Sequence, residues 1–396
     1  MLAAALLGGA LAIVGSKELG WTDTKTVQQV IISPAPASQV PATPAAVTST
    51  AKPLVGNGFD PARIYARRSS GVVTIVSYFG SSSSDFQGNQ AQGSGFVVSP
   101  QGYILTNSHV ITNAGQSKGS VLAATQLYVD FQDHDRVPAT VVGWDVFDDV
   151  GLIKVDPKQH PLAPVPLGDS ATVAVGSPVA AIGSPFGNDN SLSVGVVSAT
   201  KRSIRSITSE YDVVDAIQTD APINHGNSGG PLFDARGRVI GLTAQIRSDS
   251  GNAEGVGFAV PINAARRSMG QLIADGAVRY AWVGITTDDL TPSLARHFGY
   301  PVSYGAVISK VTDGSPAARA GLHGGDLTFF NQVEFPEGGD AIVAIDGQPV
   351  RSAEDVVRYV TNRVNPGDVA TLTIYRDGKR RTVAVTLGKR ERNPNP

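Results

Sequence analysis

Cysteine is missing altogether from this chain of 396 residues. Its absence excludes disulfides, thiolate catalysis and sulfur-ligated metal sites, so any nucleophile must be an oxygen or an amine. A dominant charge is missing too. The 32 Lys and Arg nearly balance the 34 Asp and Glu, which leaves no field to recruit nucleic acid or an anionic surface. No H-E-x-x-H or comparable ligand signature occurs, so neither a metal nor a cofactor is expected. Charged residues make up only 17% of the chain, whereas Gly (44) and Pro (25) are plentiful. That balance describes a turn-rich protein leaning towards β-structure, and the length allows two or three domains.

The first fourteen residues, Met1 to Val14, are apolar or small. A hydrocarbon core takes roughly 20 such residues, so the run fits the apolar part of a signal peptide or a portion of a membrane span. Residues 1–16 are expected to be a signal or anchor segment, which puts the protein outside the cytoplasm, in the periplasm or tethered to a membrane. Residues 17–58 read as a linker, because the Pro-, Ala-, Ser- and Thr-rich stretch from Ile32 to about Pro53 cannot bury enough surface to offset its ordering entropy.

From Gly71 onward, short β-branched runs recur between Gly, Asn, Asp and Ser clusters, the spacing of antiparallel sandwiches or barrels. A helix is predicted at Asn263 to Ala274, after Pro261. A second β-rich unit spans residues 279–390, with helical patterns at Ser315 to Ala320 and Ser352 to Asn362. Ser352 followed by Asp355 gives a capping-type start.

Within residues 59–275 three segments carry chemistry. Ser228 lies inside G-N-S-G-G, where glycines permit a tight loop whose amides converge on one point; Gly226 and Ser228 are the candidate oxyanion donors, with Asn227 between them. His109 follows the strand-like run G-Y-I-L-T-N-S and has the residue type for general-base work near neutral pH. Asp149 directly precedes the apolar run V-G-L-I-K-V and is the carboxylate best placed to enter the interior and orient an imidazole. Asp145 and Asp148 read as turn residues. The chain order His, Asp, Ser is that of chymotrypsin, which favours two β-barrels with the site between them.

Several motifs in order carry a resemblance: T-N-S-H-V at Thr106, D-V-G-L-I-K-V at Asp149, A-I-G-S-P-F-G at Ala181, G-V-V-S-A at Gly195, Q-T-D-A-P-I-N-H-G-N-S-G-G-P-L at Gln218 and G-V-G-F-A-V-P at Gly255. Together they resemble the HtrA/Deg family of trypsin-like serine proteases, over nearly everything from residue 60 to 390. The resemblance implies a mainly β fold: a chymotrypsin-like double β-barrel followed by an α+β PDZ domain. It implies an endopeptidase that degrades unfolded or damaged exported polypeptides, with His109, Asp149 and Ser228 as triad. A chaperone or PDZ-based scaffold with latent proteolysis is the alternative. It further implies a homotrimer, with Phe59 and Tyr65 as aromatic contacts, and a preference for small or medium aliphatic P1 residues beside Pro222, Ile223 and Asn224. Gly151 and His225 depart from the family's usual residues.

The C-terminal unit resembles the family's PDZ domain. W-V-G-I at Trp282 offers the Val283, Gly284 and Ile285 amides to a peptide C-terminus, and Val356 and Val360, sharing one helical face, are expected to form the far wall of the groove. G-G-D occurs at Gly324 and again at Gly338, and the stretch between reads as an inserted surface loop.

Overall fold

The computed structural model describes residues 58–80, 90–114, 120–184, 190–209, 211–223, 226–244 and 256–391. The expected signal or anchor segment and most of the linker lie outside them, as do Asn224 and His225. No described helix is long and apolar enough to cross a membrane.

After a short helix α1 (Pro61–Arg68), capped by the Asp60 carboxylate accepting from Arg63 N, twelve strands form two closed antiparallel barrels. The first comprises β1 (Val72–Tyr78), β2 (Gln90–Val97), β3 (Tyr103–Thr106), β4 (Gln126–Asp130), β5 (Arg136–Asp145) and β6 (Val150–Val155), in the order β1-β2-β3-β6-β5-β4. A one-turn helix α2 (Ser108–Ile111) follows β3. The second comprises β7 (Pro178–Gly183), β8 (Ser191–Arg205), β9 (Asp212–Thr219), β10 (Pro231–Phe233), β11 (Val239–Ala244) and β12 (Gly257–Pro261), in the order β10-β11-β12-β9-β8-β7. Closure leaves neither sheet with an open edge.

Val73, Ile75, Ile104 and Ile153 fill the first barrel, and Val179, Ile217, Leu232 and Ile240 the second. A third cluster joins them: Phe96, Leu105 and Leu152 of one barrel pack with Ile182, Phe233 and Leu242 of the other. The loops between the barrels therefore rest on a shared apolar floor. Helix α3 (Ile262–Asp275) closes this floor with Ala265 and Leu272, one residue longer at each end than the sequence pattern predicts. Phe59 belongs to the same cluster and is only 1% exposed, which corrects its expected role as an intersubunit contact. An aromatic ring already buried in its own barrel interface has no surface left to offer a partner. Tyr65 is half-buried, and its hydroxyl donates to Asn190 O at 2.8 Å.

The following unit contains β13 (Ala281–Trp282), β14 (Ile285–Leu290), α4 (Pro292–Phe298), β15 (Gly305–Val311), α5 (Pro316–Arg319), β16 (Asp326–Phe330), β17 (Val333–Glu337), β18 (Ala341–Ile345), β19 (Gln348–Pro349), α6 (Ala353–Asn362), β20 (Val369–Arg376), β21 (Lys379–Thr386) and β22 (Gly388–Lys389). Its main sheet runs β14-β15-β18-β20-β21, which leaves β14 at one edge; β13 pairs with β22. The capping-type start expected for α6 forms: Ser352 Oγ accepts from Asp355 N at 3.3 Å, while Asp355 Oδ2 reaches back past the cap to accept from Arg351 N at 2.9 Å. The inserted stretch is a regular hairpin. Asn331 and Gln332 both take positive φ, 50° and 63°, as a two-residue hairpin turn of the type matched to strand twist requires. Phe335 anchors it against Phe298, their ring centroids 4.9 Å apart.

Candidate active site

His109 reaches its position because β3 runs into α2 beside β6, where Thr106 pairs with Gly151. A Cβ on residue 151 would lie 2.8 Å from the Asn107 carbonyl oxygen and 2.8 Å from Ile111 Cδ1, so the glycine lets the His109 segment settle against β6. Asp149 closes the β5–β6 turn in the left-handed region, φ 52°. A non-glycine residue there costs about 1–2 kcal/mol, which its surroundings must supply. Asn107 Nδ2 donates to the Asp149 carbonyl at 2.8 Å and Ser108 N donates to it at 3.3 Å. The carboxylate is held by the same segment: Oδ1 accepts from Ser108 Oγ (2.7 Å) and His109 N (3.1 Å), and Oδ2 lies 2.8 Å from His109 Nδ1.

This hydrogen bond puts the proton of a neutral imidazole on Nδ1 and leaves Nε2 as the acceptor. Burial acts to lower the His109 pKa, but the charge of Asp149 and the hydrogen bond to it outweigh burial, and the pKa is raised above its ordinary value. The result is a more basic imidazole, held in a single orientation.

The Ser228 loop is pinned from both barrels. From β2, Ser94 N donates to Ser228 O at 2.8 Å and Ser94 Oγ donates to Gly226 O at 2.6 Å. From β11, Thr243 Oγ1 donates to Asn227 O, and Gly229 N donates back to Thr243 O at 2.8 Å. The turn demands glycine at 229: φ is 86°, and a Cβ would stand 2.2 Å from Ser94 O and 3.0 Å from Asn107 N. That same proximity puts Ser228 and the His109 segment on either side of one seam. Gly93 marks the seam as well, since a Cβ there would touch both the Val110 side chain and Ser228 O.

Ser228 is buried, and its hydroxyl has no hydrogen-bond partner. An orphan buried hydroxyl is a rare and costly feature in a packed protein. Among the described residues, neither the Gly226 nor the Ser228 amide is paired with an acceptor. Asp220, the acid nearest in sequence to Pro222 and Ile223, is committed elsewhere: its Oδ1 accepts from Val196 N at 2.6 Å. Ile223 is buried and packs against Gly257, where a Cβ would stand 2.6 Å from its Cγ1. Ser94, Ser108, Asn107 and Thr243 escaped the sequence reading. Only Asn107 and Ser108, adjacent to His109, carried any signal there.

In the C-terminal unit, Val283 O accepts from Ala317 N and Gly284 O accepts from Thr312 N, both at 2.9 Å, so the carbonyls of this turn point into the fold. Ile285 opens the edge strand β14. Val356 and Val360 are buried in the domain core with Val283, on the face of α6 turned to the sheet. Ala353 N donates to Asp289 Oδ1 at 2.7 Å and fastens α6 alongside β14. Among the described residues, no group of three potential ligands converges as a metal site.

Comparisons with known proteins agree with this geometry. Residues 93–242 match the trypsin-like peptidase domain family, and residues 282–387 match the PDZ domain family. A probable periplasmic serine endoprotease, DegP-like, of Pseudomonas savastanoi pv. phaseolicola (strain 1448A / Race 6) is 40% identical over 299 residues, 76% of this chain and 56% of the relative. The protein of the same description from Marinomonas sp. (strain MWYL1) is 38% identical over 317 residues, 80% of this chain and 61% of its own. The chain thus spans little more than half the length of these curated relatives. Among solved structures, the HtrA-type protease AlgW with a tripeptide has a TM-score of 0.69 at 32% identity, covering 85% of this chain and 98% of that one. The serine endoprotease from Yersinia pestis has a TM-score of 0.60 at 29% identity, covering 84% and 98%.

Proposed function

Because the chain belongs to the HtrA-type protease family, we propose that it is a serine endopeptidase acting on unfolded or damaged exported polypeptides, with His109, Asp149 and Ser228 as its triad. The observation that carries this reading is the 2.8 Å contact of His109 Nδ1 with Asp149, formed across the seam from the unpartnered Ser228 hydroxyl. Ser228 Oγ attacks the scissile carbonyl while His109 Nε2 takes its proton, and the Gly226 and Ser228 amides receive the oxyanion. His109 then returns the proton to the leaving amine, and water repeats the sequence on the acyl-enzyme. Asp149 stays ionised throughout and steadies the imidazolium.

The Ser228 hydroxyl makes no hydrogen bond to His109 in this conformation. That supports a resting form in which the loop must close before turnover, a population shift rather than a rebuilt site. That Pro222, Ile223 and Asn224 include no acid in sequence supports cleavage after small or medium aliphatic residues. The open edge of β14 beside α6 supports capture of a peptide C-terminus by strand addition, with the Val283, Gly284 and Ile285 turn at the carboxylate. Labelling by a fluorophosphonate probe, compared between the native chain and Ser228→Ala, tests the nucleophile. Equal labelling of both would refute it.

Assembly as a homotrimer and retention on a membrane through residues 1–16 complete the reading, supported by the family resemblance and by the apolar run from Met1 to Val14. Sedimentation equilibrium and carbonate extraction of membranes test them. A monomer, or full release by carbonate, would remove each in turn.

A further inference from the structure

Three residues with no part in the chemistry above meet at the back of the Asp149 turn. Tyr280, in the segment joining the two domains, is 2% exposed, and its hydroxyl lies 2.6 Å from Asp145 Oδ2 and 2.8 Å from Asp148 Oδ2. Asp148 Oδ2 also accepts from Arg267 of α3 at 2.7 Å, and Asp145 Oδ2 accepts from Ser268 Oγ at 2.7 Å. Asp145 Oδ1 accepts from Phe147 N (2.9 Å) and Asp148 N (3.3 Å), the turn geometry expected of it, so one carboxylate sets the turn and also reaches the tyrosine.

The backbone of Tyr280 belongs to the PDZ side, where Arg390 N donates to its carbonyl at 2.8 Å and Ala281 pairs with Lys389 of β22. The Arg390 guanidinium lies over its ring, 5.2 Å from the centroid, and over those of Phe147 and Tyr211. Arg267 bonds to Asn362 of α6 as well. The tyrosine is therefore fixed to one domain and buried in a turn of the other.

We propose that Tyr280 is a positioning residue for the triad, holding the Asp145–Asp148 turn so that Asp149, the next residue, stays in its left-handed conformation facing His109. This rests on the assignment of Asp149 to the triad. The argument is mechanical. A non-glycine residue leaves the left-handed region when its flanks allow it. On one flank the Asn107–His109 segment grips Asp149; on the other the peptide from Asp148 is held through Asp148's bonds to Tyr280 and Arg267. Loss of the second grip lets the turn relax and swings the Asp149 carboxylate away from Nδ1.

The charges facing the hydroxyl sharpen this. Two buried carboxylates share one hydroxyl proton, with Arg267 and Arg390 as the nearby cations and Tyr211 and Glu391 beyond them. Burial first, and then the charge of Asp148, push the Asp145 pKa up to about 6. Below that pH, Asp145 itself brings a second proton to the cluster.

Tyr280→Phe tests the proposal, since it keeps the ring on Phe147 and Arg390 and removes only the hydroxyl. At about pH 8 it should lower kcat on a short peptide about tenfold with KM unchanged, the pattern of lost transition-state stabilisation. Lowering the pH towards about 5.5 should narrow the ratio of native to variant kcat, because a protonated Asp145 can donate to Asp148 in place of the missing hydroxyl. In the same variant, Asp148→Asn should recover much of the loss by supplying an amide donor to Asp145. Equal kcat at about pH 8 overturns the proposal. So does a loss that is uniform with pH and matches a fall in titratable active sites, which is the mark of a merely structural role. If the native chain itself is not labelled by the fluorophosphonate, the triad assignment falls, and the positioning role falls with it. Labelled native protein with an unaffected Tyr280→Phe removes the positioning role alone.

Discussion

Replacing Ser94 by alanine should damage catalysis although Ser94 touches no substrate. The residue is fully buried in β2; its hydroxyl donates to Gly226 O at 2.6 Å and accepts from Ser184 N at 2.9 Å. Ser94→Ala keeps the Cβ and removes both the bond to Gly226 O and the bond from Ser184 N. A hydrogen bond contributes about 0.5–1.5 kcal/mol net, so the loss of two lowers stability by about 1–3 kcal/mol. Stability is the lesser consequence. Gly226 sits at φ 96°, open to L side chains only with strain, and Ser94 restrains its rotation. Once its carbonyl is released, Gly226 can change its φ and turn its N–H away from the oxyanion position, and loss of one such donor costs about 10²–10³ in kcat. The assay is steady-state kinetics on a short chromogenic peptide, corrected for titratable sites, beside urea unfolding of the same samples. A kcat within about threefold of native, alongside a clear loss of stability, would refute the claim that Ser94 fixes the oxyanion loop.

Asp149→Asn should cost about 10⁴ in kcat with the fold retained, since the imidazole takes the wrong tautomer. Asp145→Asn should stay within about tenfold of native, and the reverse order would put the wrong carboxylate in the triad. The acid limb of kcat/KM should lie above the ordinary histidine range, because His109 must be neutral to act as base and its pKa is raised; in Asp149→Asn, an NMR titration of His109 should move to lower pH, since burial then acts without its counterion. Asp145 predicts a stability trend of its own. Its pKa is raised in the fold from 3.8 to about 6, so the native state binds more protons between these values. Stability should fall by about 2–3 kcal/mol as pH rises through that window. Urea unfolding at about pH 4 and pH 7 should show this slope in the native chain and a flatter one in Asp145→Asn, and parallel slopes would contradict it.

Local signals explain most of what could be read in advance. The strands announced themselves through β-branched runs between Gly and Asn clusters, α6 through Ser352 and Asp355, and the Ser228 loop through glycines whose crowding at residue 229 leaves no room for a Cβ. Each depends on residues within a few positions of one another. What stayed hidden depends on distance. Ser94 lies 132 residues from its acceptor at Gly226, and Tyr280 lies 135 from Asp145; no periodicity or motif links such pairs. Phe59 failed for a related reason. Its role as an intersubunit contact came from the family resemblance alone, but whether such a ring faces a partner or its own barrels is decided by the cluster it joins, with Phe96 and Leu105 arriving from elsewhere in the chain.

The same contrast bears on Asp145 and Asp148. Reading them as turn residues was right for the Asp145 oxygen that caps Phe147 and Asp148, yet each carboxylate also reaches into a cluster that spans both domains. Burying two acids against one tyrosine and an arginine is expensive, and apolar side chains of equal size would often hold the domains together as well or better. Polar contacts do what apolar packing does poorly: they fix one relative orientation, because each bond has a direction as well as a distance. A turn that ends in Asp149 needs that directionality, since a shift of about an ångström in its carboxylate is enough to lose the alignment of His109. The cost of the cluster is then the reason for its place in the fold: it lies one peptide bond from the residue whose orientation matters most.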